Sequence, residues 1–157
     1  MSEVHTSAAS KIYIGTTAAA ATQQQFEADA YAEIGEVITM GEFGAQYEQI
    51  NLETIGNRNR RKFKGVLDDG DLALGLAKQA SDAGQAAALA ALHDDRDYNF
   101  KVVENDASED SGAEGTTSYF RGKVMGYRTN INDVNSVVQA SMTIAIQSGT
   151  LIEVAAT

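Results

Sequence analysis

Apolar residues that recur at every second position constrain the fold of this chain more than any other feature. Leu72, Leu74 and Leu76 alternate with alanine and glycine, and residues 138–146 repeat the pattern with valine, alanine, methionine and isoleucine. A period of two is typical of a β-strand that buries one face. Proline, which cannot donate to the ladder of a central strand, does not occur among the 157 residues. The chain is therefore predicted to be mainly β.

Similar patterns predict seven or eight short strands, at 11–15, around 36–39, and at 47–52, 72–77, 98–103, 119–127, 137–146 and 151–154. In the 119–127 strand we expect Phe120 and Val124 on one face, and the opposite face to carry Tyr119, Arg121, Lys123, Met125 and Tyr127. Residues 16–25 are polar and are interpreted as a connection. This many short strands favours a β-sandwich or a barrel.

One helix is predicted, over residues 83–92, where alanine and leucine dominate after a Ser81-Asp82 N-cap. We expect Ala86, Leu89 and Leu92 to form its apolar stripe, and the alanines to let it lie close to a sheet. The fold prediction is a mainly β single domain over 1–157, a β-sandwich or partial barrel with one flanking α-helix. Residues 1–10 are predicted to be a flexible N-terminus.

Composition excludes several classes of function. The net charge of −10 disfavours general nucleic-acid binding, because the protein would repel phosphates. Without cysteine there is no disulfide or thiolate metal site, and two histidines cannot make a histidine cluster. No apolar run is long enough for a membrane span or a signal peptide, which predicts a soluble protein made in a cytoplasm and no membrane partner.

Motifs for phosphate loops, zinc proteases and serine hydrolases are absent from the sequence. The acid pairs Asp68-Asp69 and Asp94-Asp95 are interpreted as exposed turn residues. His93 is interpreted as a favourable charge at a helix C-terminus, and His5 as part of the flexible tail. The acidic stretch 104–116 lacks the spacing of a calcium loop and is interpreted as a solvated hairpin tip. We predict no enzyme, no catalytic residue, no metal and no cofactor.

A basic segment at 56–65 is the most distinctive local feature, with five positive charges inside an acidic chain. Its cations are Arg58, Arg60, Arg61, Lys62 and Lys64. We rank three interpretations: an inter-subunit contact with carboxylates of another copy first, a solvated loop second, and a DNA contact third. Phe63 is its only aromatic residue.

The ordered segments 33–44, 56–65, 69–76, 81–86, 119–127 and 137–146 resemble the tail tube (major tail) proteins of long non-contractile-tailed phages and related gene transfer agents. The resemblance spans roughly residues 33–154. It implies a structural virion protein that self-assembles as stacked, hexameric rings, with strands of neighbours joining in a tube-lining barrel. Other tail proteins would meet the tube at its ends. DNA would pass through without specific binding, and assembly would take place in the host cytoplasm.

A small, non-enzymatic β-sandwich interaction or decoration module is the alternative function. For a tube, the 22 Asp and Glu against 12 Lys and Arg lead us to expect a net negative lumen that repels phosphates. The competing expectation is that all the acids lie outside and serve solubility.

Overall fold

The computed structural model describes residues 4–108 and 112–157. This part of the chain folds into two helices and ten strands, all of the strand pairs being antiparallel. In chain order they are β1 (Lys11–Ile14), α1 (Gln23–Glu27), β2 (Ala32–Ile34), β3 (Val37–Met40), β4 (Gln46–Thr54), β5 (Asn57–Asp68), β6 (Asp71–Ala77), α2 (Ala83–Leu92), β7 (Tyr98–Val103), β8 (Thr117–Asn130), β9 (Gln139–Ile146) and β10 (Ile152–Val154).

Eight of the strands form one sheet in the order β2-β1-β7-β8-β9-β6-β3, with β10 pairing with β8. The two edge strands, β2 and β3, are consecutive in the chain and are separated only by Gly35 and Glu36. The sheet must therefore curl until its two edges lie close together. The edges are not paired with each other, so the sheet stays open. The prediction of a mainly β partial barrel is confirmed.

The predicted alternation supplies the core of the curled sheet. Leu72, Leu74 and Leu76 are at most 3% exposed. They pack in one cluster with Phe100 and Phe120, whose rings stack at 5.4 Å between centroids. Burying such side chains contributes about 1.5–3 kcal/mol each, which makes this cluster the main source of stability.

Helix α2 begins where the sequence predicts, because the Asp82 side chain accepts a hydrogen bond from the Gln85 N–H. A Cβ at Gly84 would overlap the Glu33 carbonyl, so the helix lies close against β2 as expected. The predicted apolar stripe is wrong at Ala86 and Leu89, which are exposed, whereas Leu92 packs against the core as expected. The buried positions are Gly84, Gln85, Ala88 and Ala91. The close approach at Gly84 explains why the helix has glycine and alanine at positions that face the sheet.

The predicted connection at 16–25 contains the start of a second helix, α1, so the expectation of one helix is wrong. Thr22 and Gln25 form a capping box, in which the Thr22 side chain accepts from the Gln25 N–H and Gln25 reaches back to the Thr22 backbone. Phe26 is fully buried and stacks on Tyr119 at 5.6 Å. A five-residue helix holds because its cap and one aromatic anchor fix it.

Strand β8 has its predicted faces up to Val124 and departs from them at Tyr127. Tyr119 lies on the face opposite Phe120 as predicted, and it is buried there in a second, smaller cluster with Phe26. A β-bulge between Val124 and Gly126 shifts the register, which turns Tyr127 towards the core. Strict alternation places Tyr127 on the outer face, and the extra residue in the bulge reverses that assignment.

The corner between β2 and β3 is tied to the end of β6 by one side chain, the buried amide of Gln85. Its Nε2 donates to the carbonyl oxygens of Gly35 (3.0 Å) and Ala77 (3.1 Å), and its Oε1 accepts from the Gln79 N–H (2.9 Å) and the Tyr127 hydroxyl (3.3 Å). The Gly35 N–H donates to Asp82. The first turn of α2 thereby holds the β2–β3 corner against the end of β6.

Gln85→Ala is expected to lower the free energy of unfolding by about 2–4 kcal/mol, because it removes the partner of the part-buried Gly35 and Ala77 carbonyls and of the Gln79 N–H. Thermal and urea unfolding followed by circular dichroism measure the loss. Gln79→Ala removes an exposed amide from the same region and is the matched control, with an expected change within about 0.5 kcal/mol. Equal stability of both variants would show that the bridge does not matter.

Candidate assembly surface

Strands β4 and β5 form a long hairpin that is separate from the main sheet. They pair only with each other, and every residue from Gln46 to Lys64 is exposed. The basic segment is therefore a strand and not a loop. A two-stranded hairpin that is solvated on both faces is marginal in water on its own. Its apolar side chains need a covering surface.

The root of the hairpin is fixed to the body by backbone contacts and by Asp69. Asp69 is 1% exposed, and its side chain accepts a hydrogen bond from the Gly149 N–H at 2.9 Å. The Gly44 N–H donates to the Asp69 carbonyl at 3.2 Å. The interpretation of Asp69 as an exposed turn acid is wrong, because it ties the hairpin to the turn before β10. Gly70, at φ +81°, allows the reversal into β6.

One face of the hairpin is apolar. Ile50 lies directly opposite Phe63, and Leu52 lies opposite Arg61, so these four side chains share a face. Ile50 and Phe63 are each 50% exposed and Leu52 is 43% exposed. Complete burial of the remaining area would contribute about 1 kcal/mol per side chain. This face has the chemistry of a protein contact, with Arg61 beside its apolar side chains and Glu48 two residues before Ile50.

The other face is basic. Gln49 lies opposite Lys64 and Asn51 opposite Lys62, while Arg60 pairs with Glu53 at 2.6 Å across the strands. Arg58 lies beyond the register shift between Leu52 and Thr54, so alternation does not assign it to a face. The five cations predicted as one contact are therefore divided. Three of them, Arg60, Lys62 and Lys64, lie on the basic face, and Arg61 lies on the apolar face.

Two residues that could suggest catalysis, Asp94 and His93, lie at the end of α2. Hydrogen bonds from Arg96 and Tyr98 hold the pKa of Asp94 well below its usual range, so it is not suited to act as a general acid at neutral pH. His93 ends α2 and its N–H donates to the Ala90 carbonyl. These positions agree with the interpretation of Asp94 and His93 as residues at a helix end.

The acidic stretch after β7 is tied together at its neck. The Asp106 carboxylate accepts from both the N–H and the hydroxyl of Thr116, each at 2.6 Å. Side-chain atoms of His5, Glu104 and Asp106 that could bind a metal ion lie within 4.8 Å of one another. Among the described residues, this is the one group of three such side chains. Glu109 and Asp110, which belong to the predicted hairpin tip, lie outside the described residues.

No helix in 4–108 or 112–157 is long and apolar enough to cross a membrane. No protein-family model matches the sequence, and no curated protein matches it significantly. Solved structures do match. The SPP1 tail tube aligns with a TM-score of 0.62 and 16% identity, over 91% of this chain and 76% of that chain. The chain has a phage tail-tube-like fold.

Two contractile systems contain similar folds. The sheath/tube terminator structure of an extracellular contractile injection system, PVC, aligns with a TM-score of 0.69 and 11% identity, over 98% of both chains. The baseplate structure of the anti-feeding prophage (AFP) aligns with a TM-score of 0.67 and 12% identity, over 99% of this chain and 98% of that chain. At these identities the likeness establishes the fold of the chain.

Ile50→Ser is expected to reduce self-association at least tenfold, because it places a polar group in the centre of the apolar face. Asn51→Ser changes the next residue, which points to the opposite face, and is the matched control. Sedimentation velocity measures association, and thermal unfolding checks that each variant stays folded. The apolar face has no part in association if the two variants behave alike.

Arg61→Glu is expected to weaken self-association more than Arg60→Glu, since Arg61 lies beside Ile50 and Leu52 on the apolar face. Arg60 lies on the other face with Glu53 as its partner. The same sedimentation series compares the two reversals at equal net charge. A larger effect at Arg60 would place the contact on the basic face.

Proposed function

We propose that this protein is the structural subunit of a phage tail tube, in which copies form stacked, hexameric rings and DNA passes through the lumen during ejection. It acts without catalysis and without a cofactor. Its place is the tail of a long non-contractile-tailed phage or a gene transfer agent. Assembly takes place in the bacterial host cytoplasm, other tail proteins join the tube at its ends, and DNA is not bound specifically. The chain from 1 to 157 works as one tail-tube domain.

The observation that carries this proposal is an exposed, two-faced hairpin on a tail-tube-like fold. The hairpin offers a half-exposed apolar face at Ile50, Leu52 and Phe63, and its outer strand edges are unpaired within the described chain. Unpaired edges and an apolar sheet face are a liability in a monomer. Strand pairing with a neighbouring copy would satisfy the edges, and packing against a different surface of that copy would cover the apolar face.

Such a contact is heterologous, because the hairpin of one copy covers a different surface of the next. Heterologous contacts close into rings when the rotation between copies allows it, and they extend without limit along an axis. The contact proposed for the basic segment is carried by its apolar face, with Arg61 at the margin. Ring closure and axial stacking together give a tube.

Negative-stain electron microscopy of the purified full-length protein over a range of concentrations tests the proposal. The expected result is rings or tubes that lengthen as concentration rises, in the absence of any other tail protein. A monodisperse monomer at millimolar concentration would contradict the tube and favour a small interaction or decoration module. Rings of another symmetry would keep the tube and correct the number of subunits.

A further inference from the structure

The segment before β1 and the acidic stretch after β7 leave the main sheet at the same end. Strand β1 runs antiparallel to β7, and Lys11 at the start of β1 pairs with Val103 at the end of β7. The acidic stretch returns to the sheet at Thr117, which also pairs with Val103. Strand pairing therefore places residues just before β1 close to residues just after β7.

This shared end brings together three side chains that could bind a metal ion. His5 belongs to the segment before β1, and Glu104 and Asp106 follow β7 directly. One nitrogen or oxygen atom from each of the three side chains lies within 4.8 Å of the other two. The imidazole and the carboxylates come from separate segments, so an ion bound by all three would link those segments.

The segment with the two carboxylates is held in place by Thr116, which is 9% exposed. The Glu104 N–H donates to the Thr116 carbonyl at 2.8 Å. The Asp106 carboxylate accepts from the Thr116 N–H and hydroxyl, each at 2.6 Å. A carboxylate has about four lone-pair positions, so about two remain on Asp106 for an ion. Ligands that are already fixed lower the entropic cost of binding.

The histidine distinguishes this group from an ordinary pair of surface acids. A neutral imidazole nitrogen is a common ligand of Zn²⁺, whereas Ca²⁺ and Mg²⁺ prefer oxygen ligands. Bonds of about 2.0–2.1 Å place the ligands of a tetrahedral Zn²⁺ about 3.3 Å apart. The group has to contract by at most about 1.5 Å to reach this geometry. His5 can make that movement, because it is exposed and lies outside the helices and strands.

We propose that His5, Glu104 and Asp106 bind one Zn²⁺ ion, which fastens the segment before β1 to the neck of the acidic stretch. The ion is structural and takes no part in catalysis. Three protein ligands leave the fourth position of a tetrahedral ion to water. The five carboxylates of residues 104–116 add to the attraction for a divalent cation. This proposal replaces the sequence-based predictions of no metal and of a flexible tail at His5, and it does not depend on the tube.

Isothermal titration calorimetry of the untagged, chelator-treated, full-length protein with Zn²⁺ tests the site. Millimolar Ca²⁺ is present throughout, so that unspecific carboxylate sites are already occupied. One Zn²⁺ per chain is expected. His5→Ala removes the nitrogen ligand and is expected to weaken binding at least tenfold. His93→Ala removes the other of the two histidines, at the end of α2, and is the matched control, with an expected change of less than twofold.

A second pair of variants tests the carboxylates at equal net charge. Glu104→Gln removes one proposed ligand and is expected to weaken Zn²⁺ binding at least tenfold. Glu114→Gln removes an acid of the same stretch that lies outside the group of three, and its expected loss is less than threefold. Circular dichroism checks that each variant is folded. Equal losses in the two variants would show that general negative charge attracts the ion, and would overturn the site.

Hydrogen exchange followed by mass spectrometry measures the fastening itself. Zn²⁺ is expected to slow amide exchange in residues 4–10 of the unchanged protein and of His93→Ala, and to have no such effect in His5→Ala. Binding of one ion without slower exchange in residues 4–10 would overturn the fastening.

The stoichiometry gives a further decision. No saturable Zn²⁺ binding by the unchanged protein, or equal affinities of the two histidine variants, would overturn the proposal. Half an ion per chain, with dimers in sedimentation velocity, would place the ion between copies and would also overturn it. Tube formation is not a readout in these measurements, so the proposed function and this site can fail separately.

Discussion

The side-chain amide of Gln85 is the interaction on which the shape of the body depends. Strand pairing alone leaves the curled sheet open between β2 and β3, and Gly35, which joins these strands with Glu36, takes side-chain partners from α2. Gln85 satisfies the carbonyls of Gly35 and Ala77 at once, and it does so from inside the fold, at 2% exposure. A buried polar group is costly unless its partners are all present. The same amide therefore both closes the corner and fixes the depth at which α2 lies.

That closed corner also determines where the hairpin emerges. The chain leaves edge strand β3, forms β4 and β5, and returns as β6, which pairs with β3. The hairpin is thus inserted between two neighbouring strands, and its root is held by the Gly41 N–H on the Ala73 carbonyl (2.8 Å) and by Asp69. A rigid root with an exposed tip lets the body orient the hairpin without covering it. In the proposed tube, the body orients the hairpin and the hairpin makes the contact with the next copy.

How much of this could be predicted depends on whether a residue's role is local. The alternation of Leu72, Leu74 and Leu76 predicts β6 and its buried face, because period two is a local property. The short helix α1 was also predictable, because Thr22 and Gln25 have the residue types and spacing of a capping box. The inward position of Tyr127 was not predictable. A β-bulge has no clear sequence signal, and it reverses the face on which each later residue of the strand lies. The buried position of Asp69 depends on its contact with Gly149, 80 residues later in the chain, and the division of the basic segment between two faces depends on cross-strand register.

Charge and apolar area have separate roles in the proposed tube. The acidic bodies repel one another and attract the basic hairpins of their neighbours, but both effects are screened within about 10 Å at 0.1 M salt. Long-range charge can therefore orient approaching copies and raise their rate of encounter, as it does between other proteins. It contributes little to holding them once they are in place, because exposed ion pairs are worth at most about 1 kcal/mol. Lasting association has to come from Ile50, Leu52 and Phe63, which leave water only on contact. In the proposed tube, copies would therefore stay dispersed in dilute solution and would associate stably once contact covers the apolar face.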